Sequence, residues 1–517
     1  MKNINILWAD DEIDLLKPYL IFLKDKGYDV TSVTNGADAI DTISTRPFDL
    51  VLLDEHMPGI SGLQVLDKIK AIQPDVPVVM ITKNEEENIM EKAIGAKIAD
   101  YLIKPVNPNQ ILLSIKKITE QRKLVSEKTT SSYQADFNQL SSQIQFASTF
   151  NDWVDVYKKL VYWDLEIEQL HNSELAPVLK YQKEEANNNF AKFIKRNYGS
   201  WFQQEKGEKP LLSPNVFKEK CFPMLKENET VFMVIIDNLR YDQWRVLFSV
   251  IKDYMKIEQE DIYCSILPTV TQYARNSMFS GLMPLDIQKI YPNMWNGTEE
   301  EAIDNLHEDE LLQKQLQRNG LNYKMTYEKI LNQKTGKRIV ENLKNYYTNN
   351  LVVLVYNFVD MLSHSRTELD MIKELADDEA AYRTLTLSWF QHSYLFDLIK
   401  ALAGERKKVI ITTDHGSIRV SNALKVVGDR TTTTNLRYKQ GKSLSYNAKE
   451  VYEVKDPQAI RLPRFNISTK YIFAASADFL AYPNNFNYYV SYYKNTFQHG
   501  GISMEEMLIP LVVLEPI

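Results

Sequence analysis

Residues Val409–Ser417 read VIITTDHGS, and this stretch sets the fold class. A run of β-branched residues stops at Asp414, His415 and Gly416. That is the pattern of a buried parallel strand whose carboxyl end delivers side chains into a crevice. A carboxylate beside an imidazole offers a hard oxygen and a borderline nitrogen, a pair suited to zinc or manganese. The same pattern recurs outward from this stretch. Val231–Ile236 ends at Asp237, and Leu351–Val355 is followed by Asp360-Met-Leu-Ser-His364. Near the chain end, Phe497-Gln-His499-Gly-Gly501 sets a histidine in a glycine-flanked turn. The chain has 7 histidines, so three at such polar ends point to a shared task rather than to scattered core positions.

Asp360 and His364 stand four apart, which on a helix puts both on one face, able to share a metal with His499. Asp237, Asp414 and His415 make a second ligand set. Two divalent cations about 4 Å apart stabilise the attacking and leaving oxygens of a displacement at phosphorus. The stretch Leu267–Gly281, LPTVTQYARNSMFSG, supplies the hydroxyl. Thr271 is expected at a helix N-terminus, where backbone N–H groups favour an oxyanion, and metal coordination would activate it as the nucleophile. Thr269 is a rival with the same chemistry. Further on, Gly428–Lys442, GDRTTTTNLRYKQGK, reads as a polar loop after the Asp-His pair. Its Arg430, Arg437 and Lys439 are candidates for reading phosphates, as is Arg275.

At 517 residues the chain has room for about three domains. A hydrophobic share of 44% with 25% charged residues fits a soluble globular protein, and the apolar runs are too short to span a bilayer. The start, INILWADDE, reads as a strand rather than a signal peptide, so a cytoplasmic location is expected, with no membrane insertion. The 2 cysteines have no metal or disulfide spacing. A net charge of −7 disfavours a general phosphate-backbone binder, and no basic recognition-helix pattern is present.

Residues 1–122 alternate strands and amphipathic helices, the pattern of a doubly wound, five-stranded parallel sheet. Strands are expected at Ile4–Ala9, Val30–Val33, Leu50–Leu53, Val76–Ile81 and Tyr101–Ile103. Their ends carry Asp10 and Asp11, Asp54, Thr82 and Lys104, so the three carboxylates converge on one edge. Such a cluster calls for a cation, and Mg²⁺ suits it. The lysine and the hydroxyl suit phosphoryl oxygens. Residues 123–207 read as a helical bundle. Trp153, Val156, Leu160, Trp163, Ile167 and Leu170 fall on one face, Asn151 or Asp152 is the expected cap, and Lys128–Ser132 is the expected break in a longer helix. The α/β pattern returns over 208–517.

Residues 1–122 resemble the receiver domains of two-component response regulators, on Asp10-Asp11, LLDEHMPG around Asp54, the strand ending at Thr82, and Tyr101-Leu-Ile-Lys104-Pro105. The resemblance implies phosphorylation of Asp54 by a sensor histidine kinase. It also implies Mg²⁺ held by Asp10, Asp11, Asp54 and the His56 carbonyl, with Thr82, Tyr101 and Lys104 as switch residues. Residues 208–517 resemble the PglZ branch of the alkaline phosphatase superfamily. That resemblance implies two Zn²⁺ ions, one held by Asp237, Thr271, Asp414 and His415, the other by Asp360, His364 and His499, with Thr271 as nucleophile. The whole chain is similar to PorX-type response regulators of the type IX protein secretion system. This implies a phosphodiesterase acting on linear or cyclic oligonucleotides, with secretion-system or sigma-factor partners. A homodimer is expected to form on phosphorylation, through the receiver face that includes Tyr101 and Lys104. The other reading is a phosphorylation-gated adaptor whose metal domain is a binding surface.

Overall fold

The computed structural model describes residues 4–83, 98–169, 175–203, 209–295, 307–368, 378–430 and 432–517, apart from the side chains of 120–128 and 364–368. Contacts divide the chain into two compact units, Met1–Tyr133 and Gln134–Ile517.

The first unit is built on β1 (Ile4–Ala9), β2 (Tyr28–Val33), β3 (Leu50–Asp54), β4 (Val78–Thr82) and β5 (Asp100–Ile103). All pairings are parallel, in the order β2-β1-β3-β4-β5. Strand side chains alternate between faces, so each strand feeds two cores. Leu7, Ala9, Val51, Leu53, Val78 and Met80 share one, and Ile6, Trp8, Leu50, Leu52, Val79 and Ile81 the other. Each expected strand is present, with ends moved by a residue or two. The helix between β1 and β2 is Lys17–Asp25, entered through a 3₁₀ turn at Ile13–Leu16.

A helix runs unbroken over Pro108–Phe146, so the expected interruption at Lys128–Ser132 does not occur. Helices Phe150–Gln169 and Ala176–Asn197 follow. The first buries Trp153, Val156, Leu160, Trp163 and Ile167, while Leu170 lies outside the described residues. Its expected cap moves back to Thr149. The Thr149 hydroxyl accepts the Asp152 N–H at 3.2 Å, and the Asp152 carboxylate accepts the Thr149 N–H at 2.8 Å, a reciprocal cap. These helices share the second unit with the C-terminal sheet.

That sheet has six strands: β6 (Val231–Ile236), β7 (Met255–Cys264), β8 (Met325–Ile330), β9 (Leu351–Tyr356), β10 (Val409–Thr412) and β11 (Leu508–Pro516). Their order is β7-β11-β10-β6-β9-β8. β8, β9, β6 and β10 are parallel, and β11 runs antiparallel to β10 and β7. Every residue of β6, β9 and β10 is buried, as two covered faces require. A two-stranded ribbon, Ile418–Arg419 with Phe497–Gln498, and a three-stranded antiparallel sheet within Tyr438–Phe473 lie beyond β10. The Tyr438–Gly441 strand belongs to this small sheet, which replaces much of the loop expected at Gly428–Lys442. Among the described residues no helix is long and apolar enough to cross a membrane.

Candidate functional site

In the receiver unit the strand-end residues meet as the topology requires. Asp10, Asp11 and Asp54 bring carboxylate oxygens within 4.8 Å of one another. Lys104 Nζ lies 2.9 Å from Asp10 Oδ2 and 3.0 Å from Asp54 Oδ2. One ammonium against three carboxylates leaves the cluster at −2, and its all-oxygen donor set fits Mg²⁺. Asp54 is 2% exposed. Burial raises its carboxyl above the usual range, and Lys104 only partly offsets this. Lys104 is itself desolvated, yet Asp10 and Asp54 hold its ammonium above the usual value. Thr82 is buried at the end of β4. Burial also raises the Tyr101 hydroxyl, against a hydrogen bond with Thr82. His56 follows β3 by two residues, with an exposed side chain. Sequence reading passed over Glu55, which is buried beside Asp54 and accepts the Leu63 N–H at 2.8 Å.

In the second unit, β6 and β10 are hydrogen-bonded neighbours, so their carboxyl ends place Asp237 beside Asp414 and His415. Ligand atoms of these three buried residues lie within 4.8 Å of one another. Thr271 is the first residue of the helix Thr271–Ser280. Val270 is the N-cap, so the Thr271 hydroxyl is not spent on capping. It lies 3.1 Å from His415 Nε2 and 3.5 Å from Asp237 Oδ1. Thr269 is placed differently. Its hydroxyl donates to the Gly501 carbonyl at 3.1 Å and accepts the Gly500 N–H at 3.0 Å, which fixes the turn carrying His499. Gly416 lets that site close, because a Cβ there would stand 2.1 Å from the Glu505 carbonyl oxygen.

The other ligand set adjoins this one. The His415 and His499 rings stack at 4.4 Å, and His499 Nε2 is 3.7 Å from Asp360 Oδ1. Asn238, left-handed at φ 64°, donates to Asp360 Oδ1 at 3.3 Å and to Ser363 Oγ at 3.1 Å. His364 falls in the helix Phe358–Glu368, and its side chain lies outside the described residues.

The basic candidates divide. Arg275 is fully buried and pairs with Asp237, with Asp414 at 3.1 Å and with Glu308 at 3.4 Å. Arg437 does not face a substrate. It is buried, with Nε 3.1 Å and a terminal nitrogen 2.6 Å from the two Glu506 carboxylate oxygens. Lys439 is also buried, donating to the carbonyls of Thr433 and Thr434. The charges of Arg437 and Lys439 in this polar stretch thus have partners inside the fold. Arg430 is exposed, just before residue 431.

Burial raises the Asp237 carboxyl well above its usual range, against Arg275. Burial acts the same way on Asp414, but Arg275 and then His415 outweigh it and hold that carboxyl low. With a divalent cation bound, Asp237, Asp414 and Glu308 would carry −3 against the single positive charge of Arg275. With His415 and the Thr271 hydroxyl beside them, this buried donor set fits a divalent cation of the zinc class. Four residues here were missed from sequence. Glu308 sits in an acidic run, and the Tyr327 hydroxyl bonds to it. Tyr263, near the end of the charge-rich strand β7, and Ser265, just past it, hold the Thr413–Asp414 backbone, with Ser265 Oγ 2.7 Å from the Asp414 carbonyl. None of the four carried a signal, since each partner is remote in sequence.

Comparison with known proteins divides the chain into three segments. Residues 216–514 match the family described as the BREX system PglZ alkaline phosphatase-like domain. Residues 123–202 match the PorX response regulator linker domain, and residues 6–116 the response regulator receiver domain. The transcriptional regulatory protein ZraR of Escherichia coli O157:H7 is 31% identical over 127 residues, 25% of this chain and 29% of that protein. The alginate biosynthesis transcriptional regulatory protein AlgB of Pseudomonas syringae pv. tomato is 35% identical over 119 residues, 23% of this chain and 27% of that protein. The chain thus spans under a third of the length of these curated relatives. A CheY-like response regulator receiver domain protein from Methanospirillum hungatei JF-1 is 28% identical, covering 24% of this chain and 98% of that one, with a TM-score of 0.23. With receiver, PorX linker and phosphatase-like segments in that order, the chain belongs to the PglZ alkaline phosphatase-like family and is a PorX-type response regulator.

Proposed function

We propose that the chain is a response regulator whose output domain is a zinc-dependent phosphoesterase acting on phosphodiesters, with linear or cyclic oligonucleotides as the substrate class. The observation that carries this reading is the Thr271 hydroxyl, 3.1 Å from His415 Nε2 and 3.5 Å from Asp237 Oδ1, in a buried, metal-ready donor set. A surface used only for binding has no need of a nucleophile so placed. Asp237, Thr271, Asp414 and His415 would hold one divalent cation, and Asp360, His364 and His499 the other. When bound, such ions supply Lewis-acid charge and favour an ionised hydroxyl.

Thr271 Oγ1 gives up its proton and attacks phosphorus, the bond to the leaving ester oxygen breaks with its electron pair, that oxygen takes up a proton, and the threonine is left joined to the phosphate that still carries the other ester group. Water then attacks that phosphorus and frees the hydroxyl. The N–H groups at the start of the Thr271–Ser280 helix face the transferred oxygens. Asn238 steadies Asp360, and Thr269 steadies the His499 turn.

In the receiver, Asp54 takes a phosphoryl group from a sensor histidine kinase, with Mg²⁺ at Asp10, Asp11 and the His56 carbonyl. Lys104, already beside Asp54, pairs with the added phosphoryl oxygens, Thr82 donates a hydrogen bond to them, and Tyr101 repositions. A homodimer, a cytoplasmic location and control of type IX secretion through secretion-system or sigma-factor partners complete the reading. The test is turnover of bis(p-nitrophenyl) phosphate by metal-stripped protein, before and after zinc is restored. Activity that returns with zinc supports the enzyme. No turnover by fully zinc-loaded protein, phosphorylated or not, leaves the adaptor.

A further inference from the structure

Arg275 stands one helical turn after Thr271, where an arginine that grips substrate phosphate would be sought. Its guanidinium is turned away from that task. One terminal nitrogen pairs with Asp237 Oδ2, Nε donates to Asp414 Oδ2 at 3.1 Å, and the other terminal nitrogen lies 3.4 Å from Glu308 Oε1. The side chains of all four residues are no more than 1% exposed. The fork therefore ties together carboxylates from the ends of β6 and β10 and from the helix Glu308–Arg318.

We propose that Arg275 is a positioning residue, which locks Asp237 and Asp414 into the geometry that receives a divalent cation and does not bind substrate. This rests on the metal-dependent reading above. Two buried carboxylates on adjacent strands repel one another and would turn apart. A planar cation with donors in a fixed fork holds both at once, which a point-charged lysine cannot do. The fork takes the Oδ2 atom of Asp237, leaving Oδ1 toward Thr271 and His415. Glu308 completes the balance. Three carboxylates and one guanidinium leave −2, the charge that one divalent cation cancels.

The experiment uses the full chain and three variants, Arg275→Lys, Arg275→Met and Glu308→Gln. Each has its fold checked by circular dichroism. Zinc affinity is measured by competition with a chromogenic chelator, and KM for bis(p-nitrophenyl) phosphate at saturating zinc. Arg275→Lys is expected to weaken zinc about 10–100-fold, the range for losing a partner that orients a metal ligand, while KM holds within about twofold. Glu308→Gln removes one negative charge and keeps the fork on both aspartates, so it should weaken zinc about tenfold or less, again without moving KM. That variant remains decisive if both Arg275 substitutions fail to fold. Wild-type zinc affinity in Arg275→Lys with a KM raised about tenfold would make Arg275 a substrate-gripping residue and overturn the proposal. Wild-type zinc affinity in Glu308→Gln would overturn the charge balance. Wild-type protein that takes up no zinc would instead overturn the functional reading beneath it.

Discussion

Asn187 and Glu505, 318 positions apart, meet through the Asn187 amide, which donates to the two Glu505 carboxylate oxygens at 3.0 and 3.3 Å. The same amide accepts the Met504 N–H at 2.8 Å. The turn so held presses the Glu505 backbone against Gly416, next to His415. A helix of the PorX-linker segment thus braces the wall of the candidate metal site. Asn187→Leu keeps the volume and leaves Glu505 and the Met504 N–H unpaired. It should cost about 1–3 kcal/mol of stability, read by urea denaturation. An unchanged midpoint would mean the contact is not formed in solution.

Asp54 is the expected phosphoacceptor. An acyl phosphate donor with Mg²⁺ should label the wild type and leave Asp54→Ala unlabelled, as mass spectrometry of the intact chain would show. Labelling that persists in Asp54→Ala would move the acceptor elsewhere.

Phosphorylation should favour a homodimer. Lys104 is turned inward, its side chain only 13% exposed, so it cannot be the outer part of the receiver face. Half-buried Tyr101 and Ile103, 43% exposed, are left to form it. Light scattering with a beryllofluoride phosphoryl mimic should show the mass doubling, and Ile103→Glu should prevent it. A monomer throughout would exclude this mode of output.

The two threonines should separate cleanly. Thr271→Val should lower diester turnover by several powers of ten, since it removes the attacking oxygen, with zinc still held by Asp237, Asp414 and His415. Thr269→Val leaves the Gly500 N–H unpaired and should cost about 1–3 kcal/mol of stability. Normal turnover in Thr271→Val, with loss in a well-folded Thr269→Val, would reverse their roles.

Low pH should weaken the seam between helix Ala176–Asn197 and the sheet domain. Burial alone would raise the Glu379 carboxyl, but Lys183, Arg240 and Arg383 hold it down to about 2. The sign follows from that depression. Stability from this group is fully present above its ordinary value near 4.5 and is lost as pH falls toward about 2. Denaturation midpoints at about pH 5 and about pH 3 should fall further apart in the wild type than in Glu379→Gln. Equal falls would assign the acid sensitivity to other carboxylates.

What the sequence disclosed follows from how far each signal reaches. The strand ends at Asp237 and Asp414 were legible because apolar runs stop abruptly there. The same holds for the receiver edge at Asp10, Asp54, Thr82 and Lys104. Arg437 was misread because its partner Glu506 stands 69 positions away, so a buried ion pair looked like a polar loop. The clamp of Arg275 and Glu308, 33 positions apart, was hidden for the same reason. The small sheet beyond β10 escaped because its strands, Tyr438–Gly441 and Tyr452–Val454 among them, are too short to show a period.

The ion pairs of Arg383 set a limit on taking the protein apart. Its guanidinium meets Asp164 at 3.0 Å and Asp242 at 2.9 Å, and Nε meets Glu168 at 3.1 Å. Lys183 reaches Glu379 at 2.7 Å. A truncation between the linker and phosphatase-like segments, near residue 209, would remove Asp164, Glu168, Lys183 and Asn187 together. The retained half would keep Asp242 beside Arg383 but strip it of Asp164 and Glu168, would take Lys183 from Glu379, and would open the seam to water. The phosphatase-like portion is therefore not a detachable cassette. A chimera that grafts it onto another sensor must carry the helices Phe150–Gln169 and Ala176–Asn197 with it.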